Sequence, residues 1–314
     1  MSRPYKKPIY LIYILCTALL FGGCFSGGET LYIGTGGTSG VYYEIACAVT
    51  DVLGGESGGY KLMPLATEGS AVNIGLMKDG VAQMAVVQGD IAHYANSGMA
   101  MFSSPDSGFS AVAALYSEAY HIVAMHGIKT IEQLEGKQIG IGAEGSSISY
   151  GARQILGIYN IWDDNTTLKN MSTQESVAAF EKGDLDAFIC VGETPVQVLA
   201  DLSPRVSFTL LEIDNARADS IIWANPFYAK YEISDGFYES VTDPVKSVAV
   251  KALLVVSNEL SEDMVYNLTK ELFDKSGSLQ LDKPIFVDPQ YSTQGFSVPL
   301  HIGAERYYKE IGVR

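Results

Sequence analysis

The residues with the clearest chemical potential in this 314-residue sequence are glycines and hydroxyls. Gly34-Thr-Gly-Gly-Thr-Ser-Gly40 lies between an apolar run and a helical pattern. Glycines let a backbone turn tightly and aim several N–H groups at one point. The helix start that follows adds partial positive charge, so the loop favours an anion, with Thr38 and Ser39 as hydroxyl donors. A phosphate loop is disfavoured because the Gly-Lys-Ser/Thr ending is missing. The competing reading is a plain turn with Ser39 as N-cap. Tyr42 and Tyr43 open the helix, one suited to a cleft and the other to the core.

Gly140-Ile-Gly-Ala-Glu-Gly145 has the spacing of a dinucleotide fingerprint, with Asp163 and Asp164 near the place of a ribose-binding acid. Glu144 would set a negative charge beside the pyrophosphate. The better reading is a second donor loop, with Ser146 and Ser147 at another helix start facing the first loop. Thr67-Glu-Gly-Ser70 and Gln88-Gly-Asp90 also precede helices. Glu68, Ser70, Asn73, Gln88 and Asp90 are the candidates there, and capping competes with ligand binding for Ser70 and Asp90. Cys190-Val-Gly-Glu-Thr-Pro195 ends a strand at its carboxyl end, where ligands gather in open sheets. Gly192 and Glu193 are its candidates, Glu193 as an acceptor for a ligand ammonium. No nucleophile elbow or triad spacing signals catalysis. His93, His121, His126 and His301 are scattered and read as structural. No ligand cluster signals a metal.

The chain opens with a basic segment (Arg3, Lys6, Lys7) and an apolar run, residues 8–21, too short for a comfortable membrane span. Gly22-Gly23-Cys24 follows, which reads as a lipoprotein signal peptide over residues 1–24 with Cys24 lipidated, and residues 25–30 as a short tether. Losing this leader removes three of 21 basic residues and none of 36 acidic ones, taking the net charge from −15 to −18. Such a surface repels nucleic acid and anionic lipid. It offers no long-range attraction to anionic ligands, and the loops above contain no Arg or Lys. Cys47 and Cys190 are left; they could pair outside the cell, and the favoured reading is two buried free thiols on separate elements.

Short β-branched runs alternate with helical periodicity. Strands are expected at 31–34, 61–66 and 83–87, with helices at 41–53, 70–79 and from 90. Apolar strands at 110–115 and 120–125 follow. A second series has strands at 138–142 and 187–191 and helices at 147–156 and 176–182. A return strand at 248–256 and helices at 262–273 and 304–311 finish the chain. This is an α/β pattern of two lobes joined by crossing strands, with a cleft between them.

The loops, in this order, resemble the solute-binding subunits of TRAP transporters of the TAXI type. The resemblance rests on Ile33-Gly-Thr-Gly-Gly-Thr-Ser-Gly-Val-Tyr-Tyr43, Thr67-Glu-Gly-Ser-Ala-Val-Asn73 and Gln88-Gly-Asp-Ile-Ala-His-Tyr-Ala95. It continues through Leu134-Glu-Gly-Lys-Gln-Ile-Gly-Ile-Gly142, Gly151-Ala-Arg-Gln-Ile-Leu156 and Val298-Pro-Leu-His-Ile-Gly-Ala-Glu-Arg-Tyr-Tyr-Lys-Glu-Ile-Gly312. It implies a type II periplasmic binding fold, with lobes at 25–117 plus 250–314 and at 118–249. It also implies an extracytoplasmic, lipid-anchored monomer with no cofactor. Such a protein delivers a small carboxylate ligand, of the glutamate or glutamine kind, to sodium-coupled TRAP permease subunits. Carried over by position, the contacts are Thr38, Ser39, Tyr42, Ser70, Asn73, Gln88, Asp90, Ser146 and Gly192. The sequence departs from the family pattern at Ser146-Ser-Ile-Ser149, Ser234-Asp-Gly-Phe-Tyr-Glu-Ser240 and Gln88-Gly-Asp90, which bears on the ligand rather than the fold. The alternatives are a nicotinamide-dependent oxidoreductase built on Gly140 to Gly145, and a surface antigen or sensor reusing the fold.

Overall fold

The computed structural model describes residues 29–38, 40–53, 60–279, 281 and 288–313; the leader, Cys24 and Ser39 lie outside them. Strand and helix alternate from the start: β1 (Glu29–Gly34), α1 (Val41–Leu53), β2 (Tyr60–Leu65), α2 (Ser70–Lys78), β3 (Met84–Gln88) and α3 (Gly89–Ser97). In α1 the apolar residues Ile45, Ala46, Val49 and Leu53 recur at helical spacing and are buried. The long strand β4 (Phe109–Met125) then runs 17 residues. The expected strands at 110–115 and 120–125 are therefore one element. The polar break between them, at Ser117 and Glu118, interrupts the apolar pattern without interrupting the backbone pairing.

The second series comprises β5 (Gln138–Gly140), α4 (Ser147–Gly157), β6 (Thr167–Lys169), α5 (Thr173–Lys182) and β7 (Ala187–Gly192). It continues with α6 (Gln197–Leu202), β8 (Phe208–Leu210), α7 (Asn215–Ala224) and β9 (Ala229–Ile233). Helix α5 starts with a reciprocal capping box between Ser172 and Glu175 and stops at Gly183. The chain returns through β10 (Val245–Ser257) and closes with α8 (Glu262–Asp274), α9 (Pro289–Ser292) and α10 (Ile302–Glu310).

The sheet runs β2-β1-β3-β10-β4-β7-β5-β6, with β8 added beside β4 and β9 beside β10. β1 pairs in parallel with β2 and β3, and β5 in parallel with β6 and β7. β4 and β10 are antiparallel to each other and to their outer neighbours. Each changes partner midway. β10 pairs with β9 over 245–249 and with β3 over 252–256. β4 pairs with β7 only from Ala119 onward. The switch therefore falls at Glu118 and Ala119 on one strand and at Val250 and Lys251 on the other, and the register shifts just beyond, between Ala252 and Leu253.

This is a two-lobed α/β architecture joined by crossing strands. One core lies under β1, α1, α8 and α10, around Leu31, Ile33, Ile45 and Tyr308. Another lies around Phe180, Phe188, Leu199 and Tyr238. A third joins α2, α3 and α4 through Ile74, Ile91 and Ile155. Each fully buried aliphatic side chain in these cores contributes about 1.5–3 kcal/mol.

Candidate functional site

At the partner switch a cleft of about 360 Å³ opens. Its walls are Gly36, Tyr42 and Glu68–Ala71 on one side, Gln88, Ile91 and Glu118 at the floor, and Gly145–Ile148 and Val191 opposite. Loops far apart in sequence converge here because parallel β-α-β units place their carboxyl-end turns along one edge of the sheet.

The first wall is held by Asn73. Its Nδ2 donates to the carbonyl oxygens of Thr35 (2.7 Å) and Val86 (2.9 Å), while its Oδ1 lies 2.7 Å from the Thr67 hydroxyl. Gly34 makes room, since a Cβ there would stand 2.9 Å from Asn73 Oδ1. Asn73 is fully buried and its polar atoms are all engaged, so it frames the cleft without lining it. Ser70 both opens α2 and accepts the Gln88 amide at 3.0 Å, which fixes the end of β3 against the second loop.

The opposite wall is the turn from β5 into α4. Ser146 is the N-cap, with its Oγ accepting the Ser149 amide. The Ser147 hydroxyl donates to Gln88 Oε1 at 2.5 Å, a direct bond across the cleft. Two of the dinucleotide-like glycines serve packing, since a Cβ would lie 2.6 Å from Ser176 Oγ at Gly140 and 2.7 Å from Ile148 Cβ at Gly142, and Gly145 serves the turn with φ of 73°. Asp163 is paired with Arg153 on the surface.

Sequence reasoning missed the group at the floor. Glu118 is 8% exposed. Its Oε2 accepts the Tyr42 hydroxyl at 2.9 Å and its Oε1 faces the Tyr116 hydroxyl at 3.4 Å. Burial pushes its carboxyl up to about 7, only partly offset by these donors and by Gln88. Asp90 is a near neighbour and also contributes to the rise. The signal was in the sequence: one carboxylate in a 17-residue run that is otherwise almost free of charge.

Asp90 corrects an expectation. The N-cap of α3 is Gln88, and Asp90 sits within the first turn. It is fully buried, its Oδ1 accepts the Ile91 amide at 2.8 Å, and its Oδ2 has no partner. Burial pushes it up to about 7.

The structure thus brings Tyr42, Glu68, Ser70, Gln88, Ser146 and Ser147 to one cavity. Asn73 and Asp90 stand behind its wall. Thr38 is exposed and outside it, and Ser39 is among the residues not described. Gly192 pairs with Ala119, beside Glu118, and Glu193 acts on the Tyr116 hydroxyl. Tyr43 is partly exposed rather than core. The histidines have structural partners where buried: His121 bonds Ala119 and Tyr238, and His301 caps α10. Cys47 and Cys190 are free thiols. Among the described residues no group of three or more His, Cys, Asp or Glu could hold a metal ion, and no helix is long and apolar enough to cross a membrane.

Residues 33–312 match the NMT1-like family. The chain belongs to that family. Among solved structures, it is similar to the periplasmic aliphatic sulphonate binding protein SsuA of Escherichia coli, at 11% identity and a TM-score of 0.50 over 80% of this chain and 76% of that one. It is also similar to a Xanthomonas citri protein, XAC2383, solved with bound chloride, at 14% identity and a TM-score of 0.50 over 90% and 97%. GshT of Streptococcus mutans, from a study of glutathione import, matches at 10% identity and a TM-score of 0.50 over 80% and 90%. At these identities the likeness is one of fold, and the fold of this NMT1-like chain is that of the periplasmic binding proteins.

Proposed function

We propose that this chain is an extracytoplasmic solute-binding protein that captures a small amino or organic acid in the cleft and hands it to a membrane transporter. The observation that carries this reading is the convergence of loops from both lobes, at 68–71 and 145–148, on one cavity where the crossing strands switch partners. A solute held by both walls is stabilised only when the lobes are together, so binding shifts the population toward the closed form. Lobe division at 118 and 250, a Cys24 lipid anchor and a monomeric state belong to the same reading.

The sequence resemblance favours a sodium-coupled TRAP permease as the transporter. The Streptococcus mutans neighbour is described together with a cystine ABC importer, so the permease that co-purifies with this chain decides between the two. The first test is a thermal-shift screen of the chain without its leader against amino acids, dicarboxylates, sulfonates and nicotinamide dinucleotides. A concentration-dependent rise in Tm is expected for at least one small acid, by mass action. No shift with any solute, or a shift with the dinucleotide alone, would defeat the reading.

A further inference from the structure

Glu118 stands at the crossing of the two longest strands, in the floor of the cleft, with little of its surface exposed. The groups acting on it come from four elements: Tyr42 on α1, Gln88 at the end of β3, Asp90 on α3 and Tyr116 on its own strand. Three of these are neutral donors and the fourth is a second acid. Asp90 is more deeply buried still, and one of its oxygens has no partner. At the cleft mouth Glu68 adds another carboxylate.

No cation answers these acids among the described residues. None of the described ion pairs includes Glu118, Asp90 or Glu68. No Lys, Arg or His lines the cleft. The nearest basic residue along the crossing strands is Lys251, one rung from the Val250–Glu118 pair. Its ammonium lies 3.2 Å above the Tyr291 ring, and its stem runs past Gly295. Burial also pulls the Lys251 ammonium down to about 8.

A carboxylate taken out of water without a counter-charge is costly, and the cost falls sharply when a cation is brought to it. Neutral hydroxyl donors orient Glu118 without supplying that charge. A solute with a protonated nitrogen supplies it, whereas a purely anionic acid meets Glu68 and Glu118 as like charges.

We infer that Glu118 is a cation subsite, and that the solute of this cleft carries a protonated amine seated against its carboxylate, with the Tyr42 hydroxyl and Gln88 holding that carboxylate in place. The solute's acid group is then left to the starts of α2 and α4, at Gly69–Ser70 and Ser146–Ser147, across the same cavity. This narrows the solute class to amino acids and other zwitterions, and it rests on the solute-capture reading above.

The test is calorimetry at pH 8 with matched probes: glutamate against 2-oxoglutarate, and taurine against ethanesulfonate, with putrescine as a cation lacking an acid group. A charge-assisted hydrogen bond to a buried carboxylate predicts that an amine-bearing probe binds about 10- to 100-fold more tightly than its amine-free partner. In Glu118→Gln, a neutral isostere, that preference is expected to fall below about threefold, and in Glu118→Asp to recover in part. Equal binding within the pairs, or a preference that survives Glu118→Gln, overturns the cation subsite and leaves solute capture standing. Absence of binding by every amine-bearing probe also overturns it. Tm changes in the wider solute screen then decide whether capture itself holds.

Discussion

Two buried polar clusters flank this cleft and behave oppositely. Around Asn73, every donor and acceptor is matched: two backbone carbonyls, one hydroxyl and the side-chain amide close on one another. Around Glu118 and Asp90, only neutral donors reach the two carboxyls, the Tyr42 and Tyr116 hydroxyls for Glu118 and the Ile91 amide for Asp90, and one Asp90 oxygen is left unpaired. A satisfied network rigidifies a core, whereas a half-satisfied one is costly unless something else completes it. The first cluster is framework and the second is an unfinished contact.

Breaking the framework should have the largest effect. Asn73→Leu removes three hydrogen bonds; the Val86 carbonyl loses its side-chain donor, while the Thr35 carbonyl and the Thr67 hydroxyl keep their mutual bond at 2.6 Å. At about 1 kcal/mol per lost bond, a loss of about 3 kcal/mol in urea unfolding is expected. A loss below about 1 kcal/mol would show that water or a shift of the loop satisfies these groups.

The unfinished contact should show itself in pH dependence. The folded carboxyl of Glu118 is raised from the ordinary 4.5 to about 7. Its contribution is therefore fully present below about pH 4.5 and is lost as pH rises through about 7. His121, buried and lowered to about 4, acts in the opposite sense, losing its contribution as pH falls from about 6.5 to 4. Asp90, also raised to about 7, acts in the same sense as Glu118, so the wild-type curve mixes all three groups. The difference between Glu118→Gln and wild type isolates the carboxyl: between pH 5 and pH 8 it should move in the variant's favour by about 2–3 kcal/mol. A difference independent of pH would mean that Glu118 titrates as an exposed acid does.

The smallest effect is expected where the walls touch. Ser147→Ala removes the hydroxyl that bonds Gln88 across the cleft. About 1 kcal/mol is at stake, or roughly fivefold in solute affinity, with Tm of the solute-free protein changed by no more than a few degrees. Unchanged affinity would place cleft closure on the packing of α3 against α4 instead, where Tyr94 bonds Gln154.

Much of the fold was legible because its signals are local. The helix expected at 41–53 is α1 to the residue, and the expected strands at 31–34, 61–66 and 83–87 fall on β1, β2 and β3 to within two residues. The three-residue strands β6 and β8 are too short to show a period, and they exist only because β5 and β4 offer them an edge. Helix α7 was not read from sequence. Its Trp223, an apolar residue that suits a core, stands 89% exposed. Asp90 looked like a cap because Asp caps helices well, but the cap is Gln88, two residues earlier.

The sequence by itself determined the alternation of strand and helix, the glycine-rich turns and the acidic, lysine-poor character of the loops, since each depends on residues within one turn or one strand. Only the tertiary structure decided which turns meet. It joined Tyr42 to Glu118 across 76 residues and Gln88 to Ser147 across 59. It made Asn73 a strut rather than a contact, and it buried Glu118 and Asp90 within electrostatic reach of each other. Burial and charge pairing depend on everything that excludes water from a point, and strands distant in the chain settle that together.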